Sequence, residues 1–185
     1  LKAQELLAKY GVVADVWSAT SYKTLYVDAI EAERETRLLG KARRPYVQEA
    51  LEGHEGPIVA ATDYLKALPN LIRGYVDRPF AVLGTDGFGR SDTREALRDF
   101  YEVDARHIAY TALALLHGEG KVTKRTLNQA RKDLGLKLEE VPPRAVDLAE
   151  VGHQVVELAV FRLLLEDLAV ADDGVERRAE LVAHV

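Results

Sequence analysis

The stretch LGTDGFGRSD, Leu83 to Asp92, combines residue types that could do chemistry: three glycines, Asp86, Arg90 and Asp92, behind an apolar run and ahead of a helical pattern. A dinucleotide cradle needs Gly-x-Gly-x-x-Gly opening a helix, so that free amides meet a pyrophosphate. Here the spacing is Gly84-x-x-Gly87-x-Gly89, two carboxylates flank the amides, and no Walker lysine follows. The loop is therefore a poor phosphate site, and its glycines read as a sharp strand-to-helix turn. Its position still matters, because ligands approach open α/β sheets at the carboxyl ends of the strands. Thr85, Asp86, Phe88, Arg90, Ser91 and Asp92 are expected to gather there, with Thr20, Ser21 and Asp63 from neighbouring strand ends. An apolar ring between opposite charges suits a channel mouth or a domain interface.

Other reactive groupings are sparse. The absence of cysteine excludes disulfides, thiolate catalysis and cysteine-based zinc sites. Five histidines occur, at His54, His107, His117, His153 and His184, and no pair has metal-binding spacing. His107 and His117 roughly share a helix face but lie ten residues apart, too far to chelate one ion. Glu31, Glu33 and Glu35 alternate along a helix and do not share one face. No catalytic residue and no metal ligand is assigned.

The elements that must position the loop follow from periodicity and caps. Leu1 to Tyr10 has a helical period ended by Gly11, and Val12 to Ala19 reads as a strand. A long helix follows from about Ser21, its N-cap, to Leu39, with Gly40 at its C-terminal end. A connector with a short helix after Pro45 leads to an apolar strand, Pro57 to Thr62, expected to be covered on both faces. Asp63 is expected to cap a helix reaching Val76, and Phe80 to Thr85 forms the next strand. Asp92 with Glu95 resembles a capping box for a helix through Tyr101. Asp104 opens a helix through His117, Thr123 opens another through Leu134, and Val141-Pro-Pro marks a break. Strands alternating with helices imply parallel pairing: an α/β fold, a mostly parallel open sheet with helices on both faces. Beyond the break, Leu148, Val151, Val155, Leu158, Phe161, Leu165 and Leu168 keep helical spacing, giving a helical extension over 142–185 after a domain over 1–141.

Composition bounds the partners. At 185 residues with a formal charge of −5 and a pI near 5.6, the chain has no basic stripe for nucleic acid. The run Val155 to Val170 is too short and too charged to cross a bilayer. A reducing, cytoplasmic location fits the cysteine-free composition. No methionine occurs, even at position 1, and the opening reads as the middle of a helix, so a longer parent chain is expected.

One resemblance is specific. GTDGFGRSDTREALRDFYEVD resembles the C-terminal domain of the homodimeric, thiamine-dependent pyruvate dehydrogenase family, a transketolase-like domain. AQELLAKYGVVADVWSATSY, Glu33-Arg34, the RPYV of Arg44 to Val47 and the segment Ala61 to Val76 agree in order, so the similarity runs from Leu1 to about Val141. The resemblance implies a first strand and a Ser-Gly turn upstream of Leu1, and it does not account for the last forty or so residues. It also implies an oxidoreductase that decarboxylates pyruvate and reductively acetylates a lipoyl group on the acetyltransferase of a multienzyme complex. Thiamine diphosphate with Mg²⁺ would supply the electron sink while protein groups orient it and move protons. The family's Gly-Asp-Gly motif and downstream asparagines are not matched by Thr85-Asp86-Gly87, Asn70 and Asn128, so no cofactor residue is carried over. The implied role is a structural domain supporting the homodimer and bordering the channel; the alternative is an assembly module docking the enzyme onto its complex.

Overall fold

The structure is a computed structural model and describes residues 1–87 and 90–137. The break at Val141 and the helical extension lie outside the described residues.

Local chemistry explains most of the helices. Helix α1 (Lys2–Ala8) is followed by Gly11, whose φ of 72° suits a residue without Cβ. Helix α2 (Tyr22–Leu39) starts where the Ser21 side chain accepts from the Thr24 amide at 3.1 Å, and ends at left-handed Gly40. Helix α3 (Tyr46–Ala50) follows Pro45, and Asp28 fastens it to α2 by accepting from the Tyr46 amide at 2.6 Å. Helices α6 (Ala105–Gly118) and α7 (Lys124–Asp133) open at Asp104 and Thr123, whose side chains accept from amides of the first turn.

Strands β1 (Ile58–Ala61) and β2 (Phe80–Leu83) pair in parallel, Ile58 opposite Phe80 and Ala61 opposite Leu83. Parallel strands need a crossover, and this one carries only a short helix, α4 (Ala67–Asn70), and a 3₁₀ turn, Arg73–Tyr75. The long helix expected from Asp63 is not formed. Asp63 is engaged by Arg98 instead of capping a first turn, and Pro69, inside α4, has no amide to donate back to the preceding turn.

Two cores hold the layers. Ala60, Phe80, Val47 and Ile72 are buried together with Tyr22, Leu25 and Tyr26 of α2 against them. Ile58 and Val82 join that cluster, so the period of two assigns one pleat face of both strands to it. Leu7, Ala109, Leu113 and Ala130 join α1, α6 and α7, and α6 also packs on β1 and β2. The α/β class holds, with a parallel sheet of two strands among the described residues.

The strand expected over Val12 to Ala19 is absent: this segment carries no strand pairing. Val13 is 94% exposed and Trp17 56% exposed. β-branched and aromatic residues favour strands by packing on a neighbour, and no ladder partner lies beside them. The segment is fastened by side chains: Gln4 Nε2 donates to the Ala14 carbonyl at 2.6 Å, and Trp17 meets His54 edge-on at 4.9 Å. Ala61 is exposed, so β1 is not covered on both faces along its whole length.

Candidate functional site

The segments leaving the carboxyl ends of β1 and β2 are stitched together. The Thr62 amide donates to the Leu83 carbonyl at 3.0 Å, and the Thr85 amide donates to the Tyr64 carbonyl at 2.9 Å. Thr85 Oγ1 donates to the Asp63 carbonyl at 3.1 Å. Asp86 closes the junction, accepting from the Lys66 amide at 3.1 Å while its other oxygen lies 3.9 Å from Lys66 Nζ. Gly84 is buried beneath this junction. A Cβ there would stand 2.7 Å from the Tyr64 carbonyl oxygen, so close backbone approach requires glycine. Gly87, at φ 99°, makes the turn.

The rest of the loop leans on α5 (Arg94–Phe100). The Arg90 guanidinium stacks 4.5 Å above the Phe100 ring and lies 4.0 Å from Asp92. Ser91 and Asp92 are exposed, and Asp92 accepts from the Thr93 amide at 2.8 Å. Phe88 lies outside the described residues. The expected capping box at Asp92 and Glu95 is shifted by one residue: Thr93 is the N-cap, accepting from the Ala96 amide at 3.3 Å. Thr85 and Asp86 thus share one junction, and Arg90 and Asp92 lie together on the α5 side. Ser21 caps α2, and Asp63 meets Arg98, a partner the sequence does not announce.

A cleft of about 820 Å³ opens beside this rim, lined by the start of α1, the end of β1, α5 and the first turn of α6. Three of its carboxylates, Asp63, Asp99 and Asp104, are held by Arg98 and Arg106. Arg98 donates to both Asp63 oxygens, from Nε at 3.1 Å and Nη2 at 2.5 Å, and this hydrogen bonding holds the Asp63 carboxyl below its ordinary pKa. Burial pushes Asp104 upward, but hydrogen bonds from the His107 amide and the Arg106 and His107 side chains outweigh it and set the carboxyl below the usual range. Arg106 bridges Asp104 and Asp99.

These pairings bear on metals and cofactors. Asp99, Asp104 and His107 are close enough to suggest a cation, yet a guanidinium already joins the two carboxylates, so the set does not fit one. Asp86, in the Asp-Gly step of the loop, spends its oxygens on Lys66, which does not fit a magnesium ligand for a diphosphate. Asn70 is turned to its own helix, bonding the Lys66 carbonyl and the Arg73 guanidinium. His117 bonds the Val122 carbonyl, and His54 meets Asp15. Beside the exposed polar residues of the loop, Tyr64, Leu65 and Leu68 also stand exposed. Paired charges beside uncovered apolar side chains suit contact with another surface better than proton or group transfer.

The chain resembles curated proteins over this whole region. It is 40% identical over 144 residues to the pyruvate dehydrogenase E1 component of Pseudomonas aeruginosa, covering 76% of this chain and 16% of that protein. It is 41% identical over 147 residues to that of Escherichia coli, covering 77% and 16%. The protein of the same name from Mycobacterium tuberculosis is 43% identical over 122 residues, covering 65% and 13%. The chain thus spans about a sixth of the length of the relatives it matches. Among the described residues no helix is long and apolar enough to cross a membrane. The model of the transketolase-like TK C-terminal domain matches residues 1–104, and to that family this chain belongs.

Proposed function

We propose that this chain is the C-terminal region of a pyruvate dehydrogenase E1 component and serves there as a structural domain. The parent would be a cytoplasmic homodimer that uses thiamine diphosphate and Mg²⁺ to decarboxylate pyruvate and passes the acetyl group to a lipoyl-bearing acetyltransferase. Identity near 40% to proteins of that name supports the assignment. The structural role rests on one observation: Asp63, Asp86, Asp99 and Asp104, the carboxylates best placed at the rim and its cleft, are each already held by an arginine or lysine. Cofactor and reacting groups belong, on this reading, to the rest of the parent chain. The stretch Thr85, Asp86, Phe88, Arg90, Ser91 and Asp92 borders the channel mouth or the seam with a neighbouring domain. Tyr64 and Leu65 extend that seam as its apolar part.

Arg90→Ala in the full-length enzyme is the test. A rise in KM for pyruvate, or a weakened dimer, is expected as the loop loses its hold on Phe100. Unchanged pyruvate kinetics together with unchanged dimerisation would discard the bordering role.

A further inference from the structure

Helix α2 buries one side and leaves a second apolar stripe uncovered. Ala29 and Ala32 are fully buried, and Tyr22, Leu25 and Tyr26 pack on the sheet core. Val27, Ile30 and Leu38 are 45%, 39% and 62% exposed. At about 100° per residue, Val27, Glu31, Arg34 and Leu38 fall in one row, spaced four, three and four, with Ile30 on its flank.

The acidic groups of α2 other than Glu31 are taken up by its buried side, while Lys23 and Arg37 stand exposed with no side-chain partner among the described residues. Asp28 binds Arg43 and the Tyr46 amide, Glu33 accepts from Tyr75, and Glu35 pairs with Arg43. Glu31 and Arg34, inside the uncovered stripe, have no side-chain partner among the described residues. An exposed row of two large apolar residues around an unpaired Glu and Arg is complementary to itself when reversed. In an antiparallel pairing Val27 meets Leu38 of the other copy, and Glu31 meets its Arg34, each contact occurring twice. A parallel pairing would set Glu31 against Glu31 and Arg34 against Arg34, like charges that oppose association.

We propose that the Val27–Leu38 stripe of α2 is a two-fold, antiparallel contact with a second copy of this chain. One helix stripe covers less than the ~800 Å² per partner of a standard stable interface. The contact therefore reinforces a dimer made chiefly elsewhere in the parent, and in that respect it rests on the homodimeric reading above.

Disulfide trapping in the full-length parent tests the register. Val27 and Leu38 are about 16 Å apart along one helix, since eleven residues rise about 1.5 Å each. A Val27→Cys, Leu38→Cys double variant should form a covalent dimer on mild oxidation, whereas either single variant should give only the wild-type background. Adding Glu31→Arg or Arg34→Glu should lower trapping several-fold, and both exchanges together should restore it. A dimeric parent whose double variant is not trapped, or whose single variants are trapped equally well, overturns the contact and leaves the homodimeric reading standing. A monomeric wild-type parent overturns both.

Discussion

Asp63 and Arg98, thirty-five residues apart, form a two-pronged ion pair that joins the end of β1 to α5, with Nε and Nη2 of Arg98 at 3.1 and 2.5 Å from the two carboxylate oxygens. The pair sits where the cleft meets the rim, so it ties the segment after one strand to the helix behind the loop after the other. Its fork geometry needs guanidinium, not ammonium.

Arg98→Lys should therefore loosen this corner nearly as much as Arg98→Ala. Because Asp63 is held below its ordinary pKa in the folded chain, its contribution is fully present above the unfolded value of about 3.9 and fades as pH falls through the lower folded value. Denaturation curves of Asp63→Asn and wild type should differ at pH 7 and converge in strong acid. A pH-independent difference would count against the ion pair.

Asp104 has two separable duties, capping α6 through the amides of Arg106 and His107 and holding the two side chains. Asp104→Ala removes both, and loss of the cap alone typically costs ~1 kcal/mol, with up to ~2 in buried settings. Asp104→Asn keeps an acceptor and should retain most of the cap. The folded carboxyl again lies below its ordinary value, so the charge-dependent part of wild-type stability is fully present above pH ~3.9 and fades as pH falls through the lower folded value. Urea unfolding of the two variants at pH 7 and pH 3 resolves the cap from the charge.

Gly84 meets the Tyr64 backbone oxygen at 2.7 Å from any added Cβ, and Lys66 Cγ at 2.9 Å. The lysine carbon can swing aside; the backbone oxygen cannot without parting the two strand ends. Gly84→Ala should destabilise by roughly 1–3 kcal/mol, the usual range for forced overpacking. Hydrogen exchange at the Thr85 amide, which donates to that same Tyr64 oxygen, should accelerate in the variant. Wild-type stability with unchanged exchange would refute the close-approach role.

What could be read along the chain was whatever a few neighbouring residues decide. Ser21, Asp104 and Thr123 cap their own first turns, Gly40 ends α2, and the apolar runs at Ile58 and Phe80 pair as strands. The loop from Leu83 to Asp92 was legible as a glycine turn at a strand end, because sequence spacing alone excludes a phosphate cradle. Its length and oddity carried the family likeness, which residues 1–104 bear out.

Tertiary structure decided the partners. Val12 to Ala19 has the composition of a strand and no ladder beside it, while Asp63 resembles a helix cap until Arg98 claims it from α5. Gly84 serves close packing and Gly87 positive φ, though both look like turn glycines in the sequence. Arg90 was expected at the loop's rim, and only the fold shows that its guanidinium lies over the Phe100 ring. Caps and helical periods are short-range, settled within about a turn; strand ladders, ion pairs between residues distant in sequence and backbone close approach join residues that only the folded chain brings together.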